Sequence, residues 1–179
     1  MNSLKKTISF AEGSSVPNEI YDNSFFVWAT NIANVLKIDK IKPGTIIIDD
    51  SGPHCFPKDE AIKRLHSEGD ILFTEGGVLE SQKGFKKTTF LPQAMTKTYL
   101  SQYQQHFLKS KEITGCILSS LLSAKFMNLK PEIGLIDTKE SYLHYKKLSQ
   151  LEFIGASLHC DEYLIPQKYI KKFFQDFGE

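Results

Sequence analysis

The sequence predicts an α+β fold: a single antiparallel sheet with helices packed on one side. Two observations predict it. Strand-like segments outnumber helical ones in the second half of the chain, and neighbouring strands are joined by short connections, which favours antiparallel pairing over a doubly wound sheet. The length of 179 residues fits one domain, 1–179, large enough to bury a core.

The elements follow in order. After "SSVP", residues Ile20 to Leu36 read as a helix, with Ser14 or Ser15 as cap and Pro17 in its first turn. Tyr21, Phe25, Trp28, Ile32 and Val35 recur at helical spacing and give it an inner stripe. "KPGTIIIDD" is a turn into a strand, bracketed by Gly44, Ser51, Gly52 and Pro53. "DILFTEGGVLESQKGFKKTTFLP" reads as β structure reversing around Ser81 to Gly84, with Thr88 to Leu91 running up to Pro92. Ala94 to Leu108 turns helical, with Tyr99, Tyr103 and Phe107 on one side. "ITGCILSSLLSAKFM" fits strand and helix alike, and "EIGLID" is a short strand candidate. Tyr142 to Phe153 and Ala156 to Ile165 read as two strands around Ile154-Gly155, and "QKYIKKFFQDFGE" as an amphipathic docking helix.

Composition narrows the function classes. A net charge of +1 gives no electrostatic case for nucleic acid or a membrane surface. The basic charge is almost all lysine, Arg64 being the lone arginine, and lysine does not reproduce the planar fork that grips carboxylates. Cys55, Cys116 and Cys160 are odd in number and widely spaced, which points to reduced thiols and a cytoplasmic location. The N-terminus has no apolar run of signal length, and no stretch of membrane-spanning length occurs. A small-molecule ligand and a monomer or dimer are the expectation.

The chemistry concentrates in "FIGASLHCDEYLIP", Phe153 to Pro166. As a strand, one face collects Ala156, Leu158, Cys160, Glu162 and Leu164, so Glu162 points towards the core. A carboxylate there needs a partner, a raised pKa or a cavity; if the strand ends near Cys160, it is solvated instead. With Ile154-Gly155 as a two-residue turn, Lys147 stands opposite Glu162 and Ser149 opposite Cys160. An ordinary cross-strand salt bridge explains that pair equally well.

Four fragments in order resemble the bacterial chorismate pyruvate-lyases. "GASLHCDEYLIP" is similar to the family's ending, with Gly155, Glu162 and Pro166 at the matching positions. "KKLSQLEFIG" resembles its basic strand, Lys147 and Ser149 falling on an arginine and a serine; "TTFLP" and "ITGCIL" resemble two further segments. "TNIANVL" is a fainter fifth likeness. The resemblance implies a lyase-like fold, shared with the effector-binding domain of some bacterial transcription regulators. It implies conversion of chorismate to 4-hydroxybenzoate and pyruvate, in ubiquinone precursor synthesis, without metal or organic cofactor. Glu162 would then act as the acid or bind the developing hydroxyl, and Lys147, Ser149, Lys87, Thr88 and backbone donors near Gly115 would hold the carboxylates. The family's substrate-binding arginine has no basic counterpart in "ILFTEGGVLE". The chain is therefore either a divergent lyase with relocated cations or a non-catalytic binding module for an aromatic carboxylate.

Other constellations read as structural. "IIIDDSG" looks like the acidic strand end of phosphoribosyltransferases, but "PHCFP" stands where their threonine-rich loop belongs. His54-Cys55 and His159-Cys160 are neighbouring pairs whose side chains point apart in a strand, so each offers one ligand per face. A core thiol and a surface histidine account for both, and no metal site is expected. Cys116 lacks a base, Gly76-Gly77 reads as a bulge or turn, and Lys86-Lys87 and Lys171-Lys172 as solvated faces.

Overall fold

In chain order the elements are β1 (Phe25–Trp28), β2 (Thr45–Asp49), α1 (Lys58–Ser67), β3 (Ile71–Glu75), β4 (Val78–Ser81), β5 (Glu112–Thr114), α2 (Gly115–Lys125), α3 (Thr138–Gln150), β6 (Phe153–Gly155), β7 (His159–Cys160), β8 (Tyr163–Leu164) and α4 (Gln167–Phe177). This computed structural model describes residues 16–86, 111–131, 133–135 and 137–178. The architecture is α+β, but among the described residues three small sheets stand in place of the single antiparallel sheet that the sequence predicts. The described parts of Met1–Gly76 and Leu158–Glu179 form one unit, and those of Gly77–Ser157 a second.

Unit 1 is built on a parallel sheet in the order β1-β2-β3, with Asp49 level with Trp28 on one side and Glu75 on the other. Thr45, Ile47 and Asp49 of β2 are buried while Ile46 and Ile48 are half-buried, the period of two expected of a strand. Helix α1 connects β2 to β3 and buries Ala61 and Leu65, one turn apart. The helix expected over Ile20 to Leu36 does not form; a 3-10 turn at Asn18–Asp22 leads into β1. Phe25-Phe26-Val27-Trp28 is aromatic and β-branched, and its exposure alternates, so packing on the sheet wins over the helical spacing. The turn before β2 is as expected, with Gly44 at φ 80°. The tail is the expected docking helix: α4 buries Phe173 in the unit 1 core beside Phe73, Phe56 and Leu65.

Unit 2 holds an antiparallel sheet in the order β5-β4-β6, in which Leu79 lies opposite both Ile113 and Gly155. "ITGCILSSLLSAKFM" resolves into the end of β5 followed by α2. Tyr142 to Phe153, expected as a strand, is mostly helix α3. Its cap explains this: the Asp137 carboxylate accepts from Lys139 N at 2.8 Å, with Glu140 three residues on. Ile154-Gly155 is therefore not a turn but part of β6, paired with β4. The terminal hairpin is β7–β8 instead, reversing at Asp161-Glu162 with Asp161 at φ 49°. The described residues of "EIGLID" form no strand. The expected strand Thr88 to Leu91 and helix Ala94 to Leu108 lie outside the described residues. Among the described residues, no helix is long and apolar enough to cross a membrane.

Candidate functional site

The described residues singled out by the lyase resemblance fall in both units, Glu162 in unit 1 and Gly115, Lys147 and Ser149 in unit 2. Glu162 is exposed in the β7–β8 turn of unit 1. Lys147 lies on α3 of unit 2, with its ammonium 4.1 Å above the Phe126 ring, so no cross-strand Lys147–Glu162 pair exists. Ser149, on the same helix, donates its hydroxyl to the Tyr145 carbonyl at 3.1 Å. The Gly115 N–H donates to the Gly77 carbonyl at 2.6 Å, so that donor is already used within the backbone. Lys87 and Thr88 lie outside the described residues. Arg64 is committed to Asp70, which it grips through Nε at 3.0 Å and Nη2 at 2.7 Å.

A different group assembles in unit 1, at the C-terminal ends of β2 and β3. In an open parallel sheet this edge is where ligands bind. Asp49 closes β2, Glu75 closes β3, the loop after β2 brings His54, and β7 brings Cys160. Gly76 allows the crowding here, because a Cβ on it would stand 3.1 Å from that of Asp50. Asp49 is fully buried and accepts from Ser51 N at 3.2 Å, Cys55 N at 3.1 Å and His54 Nδ1 at 3.0 Å. A carboxylate only accepts, so Nδ1 carries the hydrogen and His54 Nε2 faces outward from Asp49. Around Nε2 lie Asp161 Oδ1 at 3.2 Å, Cys160 Sγ at 3.6 Å and Glu75 Oε1 at 3.7 Å. His159 Nε2 is 3.7 Å from the other Glu75 oxygen. Lys58 donates to Asp161 Oδ2, and Asp161 N donates to Glu75 Oε1.

The electrostatics are those of a cluster rich in carboxylates. Burial alone would lower the His54 pKa, but hydrogen bonds to Asp49 and Asp161 and the charges of Asp161 and Glu75 leave it raised. Burial, then the charges of Glu75 and Asp161, push the Cys160 thiol up to about 12. For Asp161, burial works upward, yet hydrogen bonds from Lys58 and His54 hold its carboxyl below the usual range. The carboxylates Asp49, Glu75 and Asp161 thus outnumber Lys58 and His54, a surplus that favours a bound cation.

One ligand atom each from His54, Glu75 and Cys160 lie within 4.8 Å of one another. Zinc bonds of about 2.0–2.3 Å set tetrahedral ligand atoms about 3.3–3.8 Å apart, which matches the spacing of Nε2 from both Sγ and Oε1. Each His-Cys pair supplies a single ligand, although only His159-Cys160 is in a strand and His54-Cys55 is in the loop after β2. The two supplied ligands, His54 and Cys160, nevertheless converge with Glu75, a residue sequence reasoning passed over.

Cys160, His54 and Asp49 also line up as thiol, base and orienting carboxylate. That arrangement needs a depressed thiol pKa and access to solvent. Cys160 has neither, being fully buried and pushed upward. No protein-family model matches the chain, and no curated protein matches it either.

Proposed function

We propose that unit 1 carries a mononuclear transition-metal centre, of zinc type, held by His54 Nε2, the Glu75 carboxylate and Cys160 Sγ, and that its activity is metal-assisted hydrolysis. One observation carries this reading: a nitrogen, an oxygen and a sulfur from three separate stretches converge within 4.8 Å. Mixed nitrogen, oxygen and sulfur donors suit zinc over magnesium or calcium. Asp49 behind His54 is the outer carboxylate that orients metal-binding imidazoles. His54, Glu75 and Cys160 would hold the ion, and the ion would supply Lewis-acid activation of water for hydrolysis.

Chorismate lyase activity remains a reading of the sequence fragments alone. Its proposed acid, Glu162, is exposed in the β7–β8 turn, and its proposed cation, Lys147, is on helix α3.

The test is cobalt(II) titration of the full-length metal-free chain, followed by calorimetry and visible absorption. One equivalent should bind and give a thiolate-to-cobalt band that disappears in Cys160→Ser. His54→Ala and Glu75→Ala should each weaken binding. Absence of saturable binding, or a band unchanged by Cys160→Ser, would overturn the proposal.

A further inference from the structure

The most open part of the cluster is the Lys58–Asp161 pair, whose side chains are 32% and 37% exposed, against 22% for His54 and 0% for Asp49. Glu75, at 26%, is the most exposed of the three converging residues and still less open than this pair. The Asp161 carboxylate spans two groups, with Oδ1 facing His54 Nε2 at 3.2 Å and Oδ2 accepting from Lys58. It is held there by the left-handed turn at φ 49° and by its own N–H on Glu75. An oxyanion belonging to the protein itself therefore already lies between a metal-ligand nitrogen and a cation.

We infer that the centre takes a substrate carrying an oxyanion, which displaces the Asp161 carboxylate and takes its place between the His54 Nε2 side of the cluster and Lys58, one oxygen towards the ion and another on the ammonium. The inference rests on the metal-centre reading above. The positions of the two contacts select the ligand class. Asp161 is the carboxylate that pairs with Lys58 at the open side of the cluster, and displacing it frees that ammonium to accept another oxyanion. Lysine is a point charge without a planar fork, so it accepts tetrahedral and planar oxyanions alike. Phosphate-type and carboxylate-type groups share this chemistry.

Cobalt-loaded full-length protein titrated with inorganic phosphate, and separately with acetate, tests it through the visible bands and by calorimetry. At least one anion should perturb the cobalt spectrum, and the tighter of the two names the group. Asp161→Asn keeps a residue type that tolerates the left-handed turn while removing the competing charge. It should bind the anion about tenfold more tightly, because an internal competitor is gone. Lys58→Met should weaken anion binding by about tenfold or more, Lys58→Arg should restore it, and both should keep cobalt affinity within a few-fold. Cobalt uptake with no anion response, or anion affinity unmoved by Lys58→Met and Asp161→Asn, overturns this inference alone. A wild-type chain that takes up no cobalt overturns the metal centre itself, and this inference with it.

Discussion

The two units treat buried charge differently. In unit 1, a core running from Tyr21 through Phe73 to Phe173 surrounds Asp49 and Asp70, and each of these carboxylates is fully engaged. Asp49 collects two backbone N–H groups and an imidazole; Asp70 collects a two-point guanidinium, itself tied to the Ile38 carbonyl at 2.5 Å. In unit 2, the described residues bury only Ile113, Leu118, Leu122 and Leu129 as a cluster. Among the described residues, Ser123 Oγ and Glu140 Oε2 are buried there with no hydrogen-bond partner, whereas the unpartnered buried atom of unit 1 is the uncharged Trp28 Nε1. A buried charge fixed by several donors can hold another group in place, whereas an unsatisfied one only costs stability. The assembled site lies in the unit whose interior already supports ions.

That contrast can be broken first at its strongest point. Arg64→Met leaves Asp70 buried beside an apolar stem, and a stranded partner of this kind costs about 3–5 kcal/mol. Urea unfolding should show a loss of that size, with Glu140→Gln in unit 2 neutral or stabilising. Equal losses from both would mean the units do not differ in how they hold charge.

A smaller effect is expected behind the metal ligands. Asp49→Asn still offers one acceptor, but its amide nitrogen must face either a backbone N–H or His54. Loss of this outer carboxylate should lower metal affinity about 10–100-fold. Competition against a chelator measures this, and unchanged affinity would mean that Asp49 does not orient His54.

The third effect lies in unit 2. Lys147→Ala removes an ammonium 4.1 Å above the Phe126 ring, a contact expected to contribute about 0.5–1 kcal/mol near the surface. Urea unfolding with Lys147→Arg as the control should show the alanine loss and retain stability in the arginine form. No difference between the two variants would mean the stacking is only incidental.

How legible all this is from sequence depends on where the signal resides. The turn at Gly44 and strand β2 are readable because a left-handed glycine and a β-branched run agree locally. The tail helix is readable because its apolar stripe is short and regular. Helix α3 is misread because Tyr142, His144 and Leu148 fit either period, yet the Asp137-to-Glu140 cap pattern carries the deciding signal. β1 fails the opposite way, since Phe25 and Trp28 satisfy helical spacing while the sheet edge claims them. The site itself has no local signal: His54 and Cys160 are 106 residues apart, and only the return of the chain into unit 1 brings them together. Reasoning about each His-Cys pair alone dismisses both, because convergence of two pairs is a property of topology.

The smallest expected effect separates two adjacent acids. Glu162 and Asp161 share one turn, but Asp161 turns its carboxylate to His54 and Lys58 while Glu162 is exposed. Glu162→Gln should change stability by less than about 0.5 kcal/mol, as surface substitutions usually do. It should also leave cobalt affinity unchanged, whereas Asp161→Asn alters the anion response of the centre. Chorismate incubated with the wild-type chain should stay intact, with no 4-hydroxybenzoate absorbance. Product that forms with wild type and vanishes with Glu162→Gln would return catalysis to the residue that strand alternation alone points inward, and would require that carboxylate to leave the solvent on binding substrate.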